Sequence, residues 1–243
     1  MSIDLPLQGK NLLVVDDEID LRDIVASEFE FMGAKVFQAE NISKAIDVLK
    51  NNSIDLVISD IRMPGGSGIE LMKSIKASNV YIPPIILITG FADISVEAAF
   101  NEGAEGLMSK PFRLDDLILA AVRYTRPLEE RFQQQIHYEK EINLNFKETL
   151  SACLSNHQVA IGRGGLTVTV PLDEVKSEAG ETFEFNINFQ DKTISGVGIC
   201  RWWKSMSVHS AVMGFEFYQL TPDSLNDLKK HWGEKLVPFI PIL

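Results

Sequence analysis

Asp16, Asp17, Asp60, Thr89 and Lys110 share one feature: each falls at or just after the end of a short apolar run, in NLLVVD, IDLVISD, PPIILITG and EGLMSK. If these runs are neighbouring strands of a parallel sheet, the three aspartates converge at the carboxyl ends, where sites form in such sheets. Their mutual repulsion is costly there unless a hard cation offsets it. Magnesium suits a small, oxygen-only ligand set that leaves room for water and a phosphoryl oxygen. The Thr89 hydroxyl could then donate to one phosphoryl oxygen, and Lys110, whose direction is fixed by Pro111, could pair with another. Positioning and charge neutralisation of this kind are most of what phosphoryl transfer to a carboxylate requires. Taken singly, each residue has a plainer explanation, since an aspartate after a strand often caps the next helix. Glu18 reads as a favourable charge at a helix start, and Met63, Pro64, Gly65 and Gly66 as residues that shape the loop after Asp60.

The elements that must position these groups follow from the pattern between Lys10 and Tyr124. Five strand-like runs, the four above and AKVFQA, alternate with amphipathic segments, which implies a parallel sheet covered by helices on both faces. In LRDIVASEFEFMG, Leu21, Ile24, Val25, Phe29 and Met32 recur at helical spacing, and Gly33 stands where a helix stops. The rhythm then changes. ETFEFNINF places Phe183, Phe185, Ile187 and Phe189 on one face and polar residues on the other, the signature of a half-buried strand. GVGICRWW and AVMGFEFYQL read as further strands. TPDSLNDLKKHW reads as a closing helix capped by Thr221, with Pro222 at its first position. The expected architecture is therefore α/β: a five-stranded parallel doubly wound domain over residues 1–124, a helical connector over 125–141, and a small antiparallel β-barrel with a C-terminal helix over 142–243. Leu128, Phe132 and Ile136 lie one turn apart in the connector and would allow weak pairing with a second copy.

Composition narrows the function. With 23 basic and 34 acidic side chains the formal charge is −11, which disfavours nucleic acid and anionic membranes as partners. Most of the acidity falls before residue 125. Cys153 and Cys200 show no CxxC spacing, so neither a disulfide framework nor a zinc site is indicated, and a cytoplasmic location is expected. No apolar run approaches the roughly 18 residues that span a bilayer, so no membrane insertion is expected. His137, His157, His209 and His231 show no metal-ligand spacing.

Taken in order, VVDDE, ISDIRMPGGSGIEL, LITG and MSKPF resemble the receiver domain of two-component response regulators over residues 10 to 124. The resemblance implies that Asp60 is the phosphoacceptor, that Asp16, Asp17 and Asp60 bind Mg2+ with the backbone carbonyl of Arg62, and that Thr89 and Lys110 read the phosphate. It also implies a sensor histidine kinase as partner. Family members carry an aromatic switch residue three positions before the lysine; here that position holds Leu107. Hydrolytic phosphatase chemistry is disfavoured, because Arg62 stands where a second acidic residue would be needed.

In the second half, strand, GRGG turn, strand is not the strand, glycine turn, helix order of a dinucleotide site. The order of elements from about residue 142 to 235 resembles the PilZ domain, a small barrel that in many proteins binds cyclic di-GMP. That family's ligand is held by an RxxxR pair and by (D/N)xSxxG at the turn. Here Ala160 and Gly162 stand at the polar positions, and Arg126 and Arg131 are five apart. The resemblance therefore implies an output acting through a downstream protein partner or as a homodimer. A cyclic di-GMP sensor is the alternative, with Arg163 as its anion contact. Trp202 and Trp203 should point to opposite faces of their strand, one into the core and one outward. A DNA-binding output lacks any helix-turn-helix pattern.

Overall fold

The structure is a computed structural model that describes residues 5–79, 83–90, 93–172, 178–232 and 238–243. It divides into two compact units, Met1–Ser95 with Gly103–Arg126, and Val96–Glu102 with Pro127–Leu243.

In the first unit, β1 (Asn11–Val15), β2 (Lys35–Ala39), β3 (Leu56–Asp60), β6 (Ile85–Thr89) and β7 (Gly106–Ser109) form one parallel sheet in the order β2-β1-β3-β6-β7. The side chains of β3 and β6 are buried throughout, as expected when helices cover both faces. Those helices are α1 (Ile19–Phe31), α2 (Ile42–Asn51), α3 (Gly68–Ser78) and α5 (Leu114–Tyr124). In α1 the core face is Val25, Ala26 and Phe29, whereas Ile24 is 52% exposed, so the sequence spacing drew the apolar stripe too wide. Gly33, at φ 93°, ends that helix in a conformation few other residues adopt. Asn41 caps α2, and Ser67 and Glu70 form a reciprocal capping box at the start of α3. Two short strands, β4 (Arg62–Met63) and β5 (Gly66–Ser67), make a tight hairpin between β3 and α3.

Register aligns the strand ends. Val15 lies opposite Ser59, Asp60 opposite Ile88, and Thr89 opposite Ser109. Asp16, Asp60, Thr89 and Lys110 therefore emerge along one edge of the sheet. Gly68, at the start of α3, packs so closely on the Asp60 backbone that a Cβ there would overlap its carbonyl oxygen. The hairpin and helix are thus pressed against the acceptor strand.

The second unit holds α4 (Val96–Glu102), α6 (Leu128–Arg131), β8 (Lys140–Asn145), α7 (Leu150–Ser155), β9 (Val159–Ile161), β10 (Gly165–Pro171), β11 (Thr182–Asn188), β12 (Thr193–Ser205), β13 (Ser210–Leu220) and α8 (Pro222–Trp232). Its six strands run in the order β8-β11-β12-β13-β10-β9, consistent with a small β-barrel. All pairs are antiparallel except β8 with β11, which is parallel. The core is aromatic: Phe183, Phe185, Phe215 and Phe217 pack with ring centroids 5.0 to 6.4 Å apart. Thr221 accepts from the Ser224 amide at the start of α8. Trp202 is buried and Trp203 is 45% exposed, the alternation expected of a strand.

The connector differs from expectation. In place of a helix over 125–141, only Leu128–Arg131 is helical and β8 already begins at Lys140. The cause is packing: Phe132 is buried against Phe217 and Trp232, and Leu128 lies on the same core. Phe132 fills the core of the second unit, and Leu128 packs against it. Cys153 and Cys200 are free thiols, both buried; burial pushes the Cys200 pKa up to about 11.

One polar pair inside the first unit was not evident from spacing. The Lys76 ammonium lies 2.9 Å from Glu105, and the same carboxylate accepts from the Ile85 amide at 2.7 Å. The Lys76 side chain is 6% exposed and that of Glu105 not at all. Breaking such a pair leaves a buried charge uncompensated, so Lys76→Ala should cost about 3–5 kcal/mol. Urea unfolding measures this, and Lys76→Met with Glu105→Leu should recover most of the loss.

Candidate functional site

Lys110 organises the edge of the first sheet. Its ammonium is 2.7 Å from Asp60, 3.3 Å from Asp16 and 3.1 Å from Glu18. Asp16 and Asp60 are 3% and 5% exposed, so two carboxylates are held nearly dry beside one shared cation. Each has a second, local anchor. The Glu18 amide donates to Asp16 at 2.8 Å, and the Arg62 amide donates to Asp60 Oδ2 at 2.6 Å. The Lys110 amide donates to the Thr89 carbonyl at 2.7 Å, which ties the lysine to the end of β6.

Electrostatics follow from this packing. Burial raises the Asp16 pKa, with the Glu18 amide and Lys110 opposing it and the Asp60 charge adding to it. For Lys110 burial acts downward, but hydrogen bonds to Asp60 and Glu18 and the charges of Asp16 and Asp60 outweigh it, so the ammonium is held above the ordinary lysine value.

The structure therefore brings together Asp16, Asp60 and Lys110, with the Arg62 backbone bonded to Asp60. Glu18 joins them as a Lys110 partner and is more than a helix-start charge. Asp17 is exposed, outside this set of bonds. Thr89 is 4% exposed, and its hydroxyl donates to Asp93 Oδ2 at 2.7 Å. Asp93 also pairs with the Arg62 guanidinium. The sequence reading missed Asp93; the only signal for it was an acid one helical turn after the threonine, in a loop without periodicity.

The donor set fits a hard cation. Two buried carboxylates already bind the Lys110 ammonium, which shows that the crevice accommodates positive charge. Among the described residues no group of three carboxylate, imidazole or thiol side chains closes on a single point. Two carboxylates completed by a backbone oxygen and water are a composition that magnesium accepts and zinc does not favour.

Arg163 belongs to the other unit and departs from its expected role. It is 2% exposed, with its guanidinium 5.3 Å from the centre of the Phe239 ring. Arg201, in the same unit, is paired with the buried Glu216. Among the described residues, no helix is long and apolar enough to cross a membrane.

Burial gives Asp16 a testable signature. An ionised carboxylate with a raised pKa costs the metal-free fold stability, an effect that grows as pH rises from the ordinary carboxylate value through the raised one. Asp16→Asn should therefore raise the metal-free unfolding midpoint at pH 7 and lose that gain in acid. Magnesium affinity of the unaltered protein, followed by calorimetry, should fall as pH is lowered through the same interval, because protons and metal compete for the same oxygens.

The family model for the response regulator receiver domain matches residues 12–122. The phosphate regulon transcriptional regulatory protein PhoB of Pseudomonas aeruginosa is 34% identical over 125 residues, 49% of this chain and 54% of that protein. The response regulator SaeR of Staphylococcus aureus is 36% identical over 109 residues, 45% of this chain and 47% of that protein. The chain thus spans about half the length of the curated relatives it matches. Among solved structures, the response regulator protein TrrA of Thermotoga maritima, in complex with Mg2+ and BeF, is 31% identical. It covers 47% of this chain and 98% of its own, with a TM-score of 0.44. Residues 12–122 of this chain are a response regulator receiver domain.

Proposed function

We propose that this chain is a two-component response regulator in which a sensor histidine kinase supplies the phosphoryl group and Asp60 accepts it. The observation that carries this reading is the Lys110 ammonium, 2.7 Å from Asp60 and 3.3 Å from Asp16 inside a domain of the receiver family. Asp60 Oδ1 faces the lysine while Oδ2 accepts from the Arg62 amide, so both oxygens are oriented. Attack by a carboxylate oxygen on the phosphorus, with the P–N bond to the kinase histidine breaking and the imidazole leaving, forms an acyl phosphate, whose charge of roughly −1.5 to −2 demands nearby cations. Lys110 is one of them. Magnesium would be held by the buried Asp16 and Asp60 and the Arg62 carbonyl, with Asp17 reaching it from its exposed position, and would neutralise a further phosphoryl oxygen. The Thr89 hydroxyl, at the adjacent strand end, would donate to another oxygen after leaving Asp93.

The second unit is the output, a PilZ-like module that acts through a protein partner or through self-association. Its order of elements supports this reading, as does the membership of α4 in that unit, because α4 follows the Thr89 strand in the chain. The burial of Arg163 against Phe239 weighs against cyclic di-GMP at the glycine turn.

Two experiments test the receiver chemistry. Incubation with labelled acetyl phosphate and magnesium should label the protein in an acid-stable, base-labile manner, and Asp60→Asn should abolish the signal; label persisting in that variant would sink the assignment. Asp93→Ala should remove one competing acceptor from the Thr89 hydroxyl and tighten beryllofluoride binding by roughly three- to tenfold, the net worth of one intramolecular hydrogen bond. Unchanged affinity would mean that Asp93 does not hold the threonine back.

A further inference from the structure

The GRGG turn is occupied by the chain's own C-terminal segment. The Arg163 amide donates to the Pro238 carbonyl at 3.0 Å, the Gly164 amide donates to the Phe239 carbonyl at 3.0 Å, and the Thr167 hydroxyl donates to the Pro241 carbonyl. A Cβ on Gly162 would overlap the Phe239 carbonyl oxygen, and one on Gly164 would overlap the Phe239 ring. Neither glycine has a positive φ. They are needed for close approach and not for backbone freedom. The opposite face of the turn is fixed by the second unit: the Trp232 indole donates to the Gly162 carbonyl at 2.8 Å, and the Phe217 amide to that of Gly164 at 2.8 Å. Phe239 and Ile240 are 2% and 0% exposed.

We propose that this turn is a peptide-docking cradle, closed in cis by residues 238–241, and that its partner in trans is an extended segment carrying phenylalanine between prolines. Three features specify that chemistry. All three bonds from the cradle go to main-chain carbonyls, the mode in which an added strand is recognised by its backbone while one side chain gives specificity. That side chain is Phe239, seated on Gly164 and faced by the Arg163 guanidinium at 5.3 Å. Pro238 and Pro241 lack an N–H, so they bring carbonyls to the cradle without adding donors that would need acceptors.

An occupant is required, since the Arg163 and Gly164 amides would otherwise be buried donors without acceptors. The occupant also has a second edge. The Phe239 and Ile240 amides point to the Phe100 carbonyl at 3.2 and 3.4 Å, and the Ile242 amide bonds the Asn101 side chain at 3.0 Å. Both acceptors lie in α4. A segment that replaces the tail therefore also displaces the tail's own bonds to α4, a helix that packs on β12 as well.

The test uses the full chain and a fluorescein-labelled peptide of the tail sequence PFIPIL. Phe239→Ala should bind the peptide, while the unaltered chain, whose own tail competes at high effective concentration, should bind it at least about tenfold more weakly. Phe239→Ala with Gly164→Ala should not bind, nor should a peptide with alanine in place of phenylalanine. Folded Phe239→Ala that ignores the peptide would overturn the proposal. So would cyclic di-GMP binding to that variant in place of peptide, or a dimer of the unaltered chain that Phe239→Ala converts to a monomer without peptide binding, which would make the tail the ligand of a second copy. If Phe239→Ala fails to fold, the Gly164 amide resonance of the unaltered chain is followed as peptide is added. A saturable shift supports the cradle, and no shift at millimolar peptide overturns it.

Discussion

The receiver half is governed by the register that sets Asp16 beside Asp60. Two parallel strands paired Val15 to Ser59 leave their next residues side by side at the end of the sheet, and both are carboxylates with almost no access to water. Like charges so placed are stable only with a cation between them. Lys110 supplies it from two strands away, and its amide bond to Thr89 fixes where the ammonium starts. The crevice is thus built around an electrostatic debt that one lysine only partly offsets. Three carboxylates share that one ammonium, so the crevice stays under-neutralised.

The second unit depends on a different constraint, the close approach of backbone to backbone at the glycine turn. Its phenylalanine core would be satisfied by many sequences of similar volume. Gly162 and Gly164 are less replaceable, because each lies where any side chain would collide with Phe239 or its carbonyl. The turn that suggested an anion cradle is occupied by a neutral main chain. Arg163, held beneath an aromatic ring, supplies stacking in place of a phosphate contact.

Much of this was legible in the sequence. The receiver motifs predicted the parallel sheet and the positions of Asp16, Asp60, Thr89 and Lys110, because period, strand ends and charge all pointed to one arrangement. The strands of the second half were legible from the alternation in ETFEFNINF. What was hidden was non-local. Leu128 and Phe132 have helical spacing, yet a core from residues some fifty to a hundred positions later claims them. Asp93 sits in an irregular loop, and nothing local shows that it meets Thr89 and Arg62. Arg163 read as a candidate anion contact because composition around a turn says nothing about a segment arriving from a distant part of the chain.

Two lysine–carboxylate pairs in the same unit show how burial divides structure from function. Glu105 is fully enclosed, its charge met by Lys76 and its oxygen by the Ile85 amide, with no open side. Nothing can be exchanged there without unfolding the surroundings. Lys110 is 22% exposed and serves three carboxylates, one of which, Glu18, is 66% exposed. The imbalance of charge and the open side occur at the same place, so an incoming cation both finds uncompensated oxygens and has a path to them. The same ion pair is a rivet in one setting and a placeholder in the other, and what differs is the ratio of charges and the access of water.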